Sequence, residues 1–375
     1  MNNNSKHKIP ILSFYSGGGF LDMGFEMAGF EIVWTNEFDV VFAKLHSAGI
    51  TSWRKARGNG IKAEIFNVKS IIEIGSEDII NEAFPLGKPG DFGIIGGPPC
   101  QDFSMNGSLK GFDGERGKLT ILFYDKILDL RPTFFVMENV TGLTKSNSTK
   151  EHLQKLLQKV EKEYFVDHKT LNALDFGVPQ FRERVFFVGI RKDKIDEQVI
   201  NQSPFGQWFT FPVNPKYQDA ATKYKWPTSV PFGKNLTKPN VLPLELCVAS
   251  CLVSHREMKT IPNANEYFKL YNSEETLNAI DEGETNRPSF KRLHRFKFSP
   301  TACYGNNEVH LHPYKNRRLS VRETLRIQGV PDSYVLPPEL PLTKKFKMIG
   351  NGVPVPLANA VAIALHLFLE KQNVI

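Results

Sequence analysis

Up to Val140 the chain repeats one pattern: a short apolar run that stops abruptly at a turn or a polar pair. Residues 9–15 run into Ser16-Gly17-Gly18-Gly19, and residues 32–34 into Asn36-Glu37. Residues 92–95 run into Gly96-Gly97-Pro98-Pro99-Cys100, and residues 134–137 into Glu138-Asn139. Apolar runs this short, bounded by turn residues, are buried strands rather than helices. Helical patterns fill the gaps at residues 21–28 and 119–130. Strand and helix in alternation predict an α/β fold: a doubly wound, mostly parallel sheet. Residues 184–191 (RVFFVGIR) predict one more strand. Leu153, Leu156, Leu157 and Val160 mark one face of a helix.

The texture then changes. Residues 192–313 are rich in Pro, Asn, Lys and aromatic side chains, with little periodicity apart from a short helix expected over 242–252. Regular patterning returns at 320–328 and 356–371. The expected division is therefore one α/β domain of residues 1–191 and 314–375, and a second, smaller, irregular domain of residues 192–313. The chain has 375 residues, of which 41% are hydrophobic and 23% charged, which excludes low-complexity disorder and collagen-like repeats. Lys plus Arg number 47 against 40 Asp plus Glu, a net charge of +7 that suits a polyanionic partner without requiring one. Four cysteines are too few for a disulfide scaffold. The polar start MNNNSKHKIP lacks the apolar stretch of a signal peptide, and no apolar run reaches the roughly 18 residues of a membrane span. The nearest, residues 357–369, contains His366 and reads as a buried or amphipathic helix. No membrane partner is expected, and the cytoplasm is the default compartment.

Several residues carry chemistry. A strand ending in Ser16-Gly17-Gly18-Gly19 and opening a helix lets backbone amides approach a ligand closely. Glu37, ending the next strand, is placed for ribose hydroxyls. The same pattern serves a dehydrogenase, a methyltransferase or plain packing. Cys100 follows Gly-Gly-Pro-Pro at the carboxyl end of a strand, where doubly wound sheets hold their ligands. A buried structural cysteine is the alternative, but the rigid Pro98-Pro99 turn, with Gln101 and then Ser104 and Gly107 following, favours a nucleophile. Residues 102–117 are polar and glycine-rich, as expected of a mobile loop beside a site. Glu138, at a strand's carboxyl end, is either an acid/base group or a salt-bridged carboxylate. Arg182 and Arg184 flank Glu183 and are either a solvated rim or phosphate and base contacts. Cys247, Cys251 and His255 lack a second pair with zinc-ligand spacing, so no metal site is expected.

Taken in order, these residues resemble the cytosine-5 DNA methyltransferases of bacterial restriction-modification type. Residues 15–26 (YSGGGFLDMGFE) resemble the family's cofactor motif, and Asn36-Glu37 its ribose motif. Gly97-Pro98-Pro99-Cys100-Gln101 resembles the catalytic motif, and Glu138-Asn139-Val140 the catalytic acid motif. Residues 180–184 (QFRER), 318–328 (RLSVRETLRIQ) and 350–353 (GNGV) complete the set. The resemblance departs at Phe20, where a second Gly is usual; at Ser13, where Asp is frequent; and at Tyr15, where Phe is usual.

The resemblance implies methyl transfer from S-adenosylmethionine to carbon 5 of a cytosine flipped out of double-stranded DNA. Cys100 would add to carbon 6, Glu138 would support ring nitrogen 3, and Arg182 and Arg184 would hold the base or Glu138. The implied cofactor pocket comprises Tyr15, Ser16, Gly17, Gly18, Gly19, Glu37, Phe38, Glu64, Ile65, Pro99, Leu119, Asn351 and Val353. Residues 192–313 stand where the family has its target-recognition domain. The implied DNA contacts are Gln101, Asn106, Arg116, Arg292, Arg295 and Lys297. A monomer functionally linked to a cognate restriction endonuclease is expected. A tRNA cytosine-5 methyltransferase of the same fold, or an inactive DNA-binding regulator, are the alternatives. The length of the variable region and the intact Pro99-Cys100-Gln101 and Glu138-Asn139 argue against them.

Overall fold

The computed structural model describes residues 8–58, 65–99, 117–145, 147–198, 207–301, 304 and 309–374 (for 145 and 147–149, the backbone alone). The chain opens with β1 (Pro10–Phe14), α1 (Phe20–Met27), β2 (Glu31–Asn36), α2 (Val40–Ala56), β3 (Ile65–Asn67), α3 (Ser76–Ala83) and β4 (Gly93–Gly96). It continues with α4 (Gly117–Leu130), β5 (Phe134–Asn139), α5 (Gly142–Lys145), α6 (Asn147–Val160), β6 (Tyr164–Asn172) and β7 (Glu183–Arg191).

Seven strands form one sheet in the order β3-β2-β1-β4-β5-β7-β6. Strands β1 to β5 are mutually parallel, and β7 runs antiparallel to both β5 and β6. The strand order reverses between β1 and β4. In such sheets the crevice at the reversal, outside the carboxyl ends, is where ligands bind. Two strands lie beyond what the sequence pattern predicts. β3 has only three residues, too few for a period. β6 (YFVDHKTLN) is a polar edge strand with three consecutive exposed residues.

Alternation along the strands builds a core on each face. On one face Ile11, Phe25, Phe30, Ile95, Val136 and Val188 pack together, and on the other Leu12, Phe14, Trp34, Ile94, Phe135 and Phe187. The second face is closed by Phe123 and Ile127 of α4 and by Leu156 and Val160 of α6. The first is closed from the far end of the chain. There α7 (Val321–Ile327), α8 (Leu342–Asn351) and α9 (Val355–Lys371) follow one another. Leu357, Val361, Leu365 and Leu369 of α9 enter the core beside Ile9 and Ile11. Ser320 and Glu323 cap α7 reciprocally. Residues Leu342–Lys371 together are long and apolar enough to cross a membrane by length and composition, but α8 and α9 are separate helices and half of that apolar stretch is buried.

Between β7 and α7 the described chain has short elements: helical turns of three to five residues and two strands of two residues. The expected helix over 242–252 is two 3-10 turns, Leu244–Leu246 and Val248–Cys251. Strands β8 (Lys291–Arg292) and β9 (His310–Leu311) pair in parallel. Here one expectation is corrected. Arg292, expected at the DNA, is fully buried, with its guanidinium 4.0 Å from the Phe232 ring. It donates to the carbonyls of Leu277, Ile280, His312 and Lys315 and to Asn316 Oδ1, at 2.8–3.2 Å. With little regular secondary structure here, the carbonyls need donors, and one five-donor side chain serves four of them.

Candidate active site

The glycine turn begins where β1 ends. Tyr15, Gly17 and Gly19 all adopt left-handed backbone angles, φ 53°, 54° and 73°. A Cβ at Gly17 would meet nothing within 4 Å, so the turn faces open space there. At Gly19 the reason is crowding: a Cβ would lie 2.7 Å from the buried His46 ring. Ser16 N–H donates to Asn36 O at 3.1 Å, tying the turn to the end of β2.

Glu37 stands just past β2. Its two oxygens accept from Gly17 N–H at 2.9 Å and Asp39 N–H at 2.8 Å. Burial pushes its carboxyl up, and those two amides pull the other way. A carboxylate fixed by backbone amides at the mouth of a glycine turn is an acceptor for vicinal hydroxyls. Phe38 beside it is 69% exposed, an open aromatic face. Tyr15 hydroxyl reaches across to Leu119 O at 3.1 Å, joining the turn to the first turn of α4. These features fit a nucleoside cofactor: an open glycine cradle, a fixed ribose acceptor and an exposed ring.

The GNGV segment closes the site from the far end of the chain. Arg182, fully buried, donates to Gly350 O at 2.7 Å and Gly352 O at 3.1 Å. Asn351 is exposed there and Val353 buried. Phe20 accounts for its own departure from the family pattern. Its ring is buried against Tyr334, and a Cβ at Gly352 would lie 2.2 Å from it. Where the family usually has a glycine, a ring fills the space that Gly352 leaves.

The acid end is built by the antiparallel pairing of β5 and β7. Because β7 starts where β5 stops, Arg184 Nε meets Glu138 Oε1 at 2.8 Å. Glu138 is buried, which raises its carboxyl, while Arg184 and then Arg182 oppose the shift. A Cβ at Gly97 would stand 3.0 Å from Glu138 Oε2, so glycine there brings the Pro98-Pro99 turn close to the carboxyl. Asn139 Nδ2 donates to Pro98 O at 3.3 Å and fastens that turn to β5.

The structure thus gathers Tyr15, Ser16, Gly17, Glu37, Pro99, Leu119, Glu138, Arg182 and Arg184 at the carboxyl end of the sheet. Ile65 opens β3 on the edge of the sheet, two residues short of that end and level with Trp34 of β2. Cys100, Gln101, Asn106, Arg116 and Glu64 lie outside the described residues, as does almost all of the expected loop of residues 102–117. Arg295 pairs with buried Glu282 at 2.6 Å and stacks on Tyr314, and Lys297 lies over Phe298. Cys247 and Cys251 are buried free thiols pushed up to about 12 by burial, and His255 is exposed.

Two groups of site residues escaped the sequence reading. Ser13, where the family often has Asp, donates to Asp22 Oδ1 at 2.6 Å, so α1 supplies a carboxylate in its place. Asp22 set among Leu21 and Met23 was the available signal. Tyr334 hydroxyl donates to Gly18 O at 2.7 Å across 316 positions of sequence, with no local mark.

A doubly wound sheet with this cradle and this buried acid defines an S-adenosylmethionine-dependent methyltransferase. The family model for C-5 cytosine-specific DNA methylases matches residues 9–366. The chain belongs to that family and is a DNA (cytosine-5) methyltransferase. It is 38% identical to the Type II methyltransferase M.NmeDI of Neisseria meningitidis serogroup C, over 98% of this chain and 86% of that one. It is 34% identical to the Type II methyltransferase M.FnuDI of Fusobacterium nucleatum, over 94% and 93%. Its fold is similar to that of an E. coli prophage protein described as a DNA modification methyltransferase, with TM-score 0.65, 23% identity, and 97% and 100% coverage.

Proposed function

We propose that this methyltransferase is the modification enzyme of a Type II restriction-modification system, with Cys100 as its nucleophile and Glu138 as its acid. The likeness over nearly whole chains to relatives named as Type II methyltransferases supports the first part. A cognate endonuclease of the same target is then the functional partner. The observation that carries the second part is the buried Glu138, paired with Arg184 and beside Gly97 and the Pro98-Pro99 turn that precedes Cys100 in the sequence.

Bound S-adenosylmethionine supplies an electrophilic methyl group. Tyr15, Gly17, Glu37, Phe38, Leu119 and Val353 hold the cofactor. Cys100 thiolate adds to carbon 6 of cytosine and makes carbon 5 nucleophilic; once carbon 5 carries the methyl group, loss of its proton breaks the bond to carbon 6 and frees Cys100. Negative charge would otherwise build on the ring, and Glu138 places a proton at nitrogen 3. Burial keeps that proton on its carboxyl at higher pH than usual. Arg184 orients the carboxyl. The cytosine is unreachable inside a duplex, so it is flipped out at a cost of a few kcal/mol. Residues 192–313 form the target-recognition domain. Its cation–aromatic pairs, Lys216 with Tyr217, Arg295 with Tyr314 and Lys297 with Phe298, suit backbone and base contacts.

Bisulfite sequencing of DNA from expressing cells should show methylation at one short target. Duplexes carrying 5-fluorocytosine at that target should form a covalent adduct with the protein but not with Cys100→Ala, which should still bind. Fluorine cannot leave carbon 5 as a proton does. An adduct that persists in Cys100→Ala, or methylation spread over all cytosines, would overturn the reading.

A further inference from the structure

Among buried groups the proposed chemistry does not use, Tyr334 reaches the cofactor turn from the greatest sequence distance. Its phenol is fully buried and lies edge-on to Phe20 at 5.5 Å. It occupies space that exists because residue 49 is glycine: a Cβ there would fall 2.0 Å from the ring. Its backbone is pinned on both sides. Tyr334 N–H donates to Pro331 O at 3.0 Å, and in the peptide that follows Arg322 Nη2 donates to Tyr334 O at 2.8 Å and Val335 N–H to Ser52 Oγ at 2.9 Å. The hydroxyl is thus aimed by packing and by bonds, not by chance of rotamer.

The target of that hydroxyl is Gly18 O, at 2.7 Å. The same peptide unit ends in Gly19 N–H, which donates to Ser16 O at 2.8 Å. Both ends of the Gly18–Gly19 peptide are therefore held, and Gly18 itself stands between two left-handed glycines, Gly17 and Gly19. A glycine-rich turn has little intrinsic reason to keep one orientation of its peptides. A donor fixed in the core supplies that reason. Burial pushes the phenol's ionisation upward, so the group remains a donor throughout the working range.

We infer that Tyr334 is a positioning residue for the cofactor: its hydroxyl fixes the Gly18–Gly19 peptide in the orientation that presents the turn to S-adenosylmethionine. The inference rests on the reading of residues 15–19 and Glu37 as the cofactor cradle. It also gives the far segment a part in cofactor binding. Arg322 Nε, from the same guanidinium, donates to Pro262 O at 3.1 Å, so one side chain joins the irregular region to the residue that holds the turn.

The test compares three variants of the whole protein by calorimetric titration with S-adenosylmethionine in the absence of DNA, alongside melting temperature. Tyr334→Phe removes only the hydroxyl and should weaken cofactor binding roughly five- to tenfold, the scale of one buried hydrogen bond with its acceptor left unpaired. Tyr164→Phe is the matched control. Its buried hydroxyl donates to Pro132 O at 2.9 Å at the opposite end of the sheet. It should lower the melting temperature without changing cofactor affinity. Hydrogen exchange in residues 14–20 of the cofactor-free protein should quicken in Tyr334→Phe and stay unchanged in Tyr164→Phe. Unchanged affinity in Tyr334→Phe, or an equal loss in both phenylalanine variants, would overturn the inference. Glu37→Ala separates the two readings. If it loses binding while Tyr334→Phe does not, the cradle stands and the positioning role falls; if it binds normally, the cradle itself is misplaced and both fall.

Discussion

At the scale of single residues, Glu138 carries the clearest consequence. Glu138→Gln keeps the size and the neighbour Arg184 but cannot give up a proton as a carboxylic acid does. Methyl incorporation should fall on the order of 10²-fold or more. A separate effect concerns stability. Burial holds the folded carboxyl above its ordinary value. The stability tied to its proton is fully present below the ordinary carboxylate range and is lost as pH climbs through the raised folded value. The glutamine variant has no such loss. The melting-temperature difference should therefore move in the variant's favour across that window and level off on either side; a difference independent of pH would contradict the raised value. Glu138 and the Pro98-Pro99 turn were legible in the sequence because a strand's carboxyl end is marked locally by where its apolar run stops. Arg292 was not. Its neighbours read as a basic, aromatic strand, and composition does not distinguish an arginine facing DNA from one feeding carbonyls inside the fold.

At the scale of elements, the turn between α8 and α9 is held by fit. Phe20 and Arg182 meet it from two other parts of the chain. Gly352→Ala would drive a methyl group into the Phe20 ring and should destabilise by about 1–3 kcal/mol, as overpacking does. Because the strain falls on the first residue of α1, cofactor affinity should fall with the melting temperature. Affinity retained at full strength would show that the turn and the cradle move independently. The central parallel strands and α4, α6 and α9 were legible because each buries a continuous face. Strands β3 and β6 were not: the first is too short to show a period, and the second lies on an edge where polar residues are tolerated.

At the scale of the molecule, chemistry and target choice are expected to separate. Methyl transfer requires the same geometry whatever bases flank the cytosine, whereas base reading differs with every target. Exchanging residues 192–313 for those of a relative with another target should exchange the methylated sequence. A folded, active chimera that keeps its original target would refute the division. The separation is not complete, since Arg322 and Tyr334 connect the irregular region to the cofactor turn. The placing of α9 has a consequence for timing. It fills one face of the sheet beside β1, the first strand described, although it is synthesised after every other element described. A nascent chain can lay down all seven strands of the sheet and still lack that covering face and the GNGV turn. The pocket therefore cannot close until the chain has been made through α9, and a ribosome-bound fragment that stops short of α9 cannot begin marking the genome.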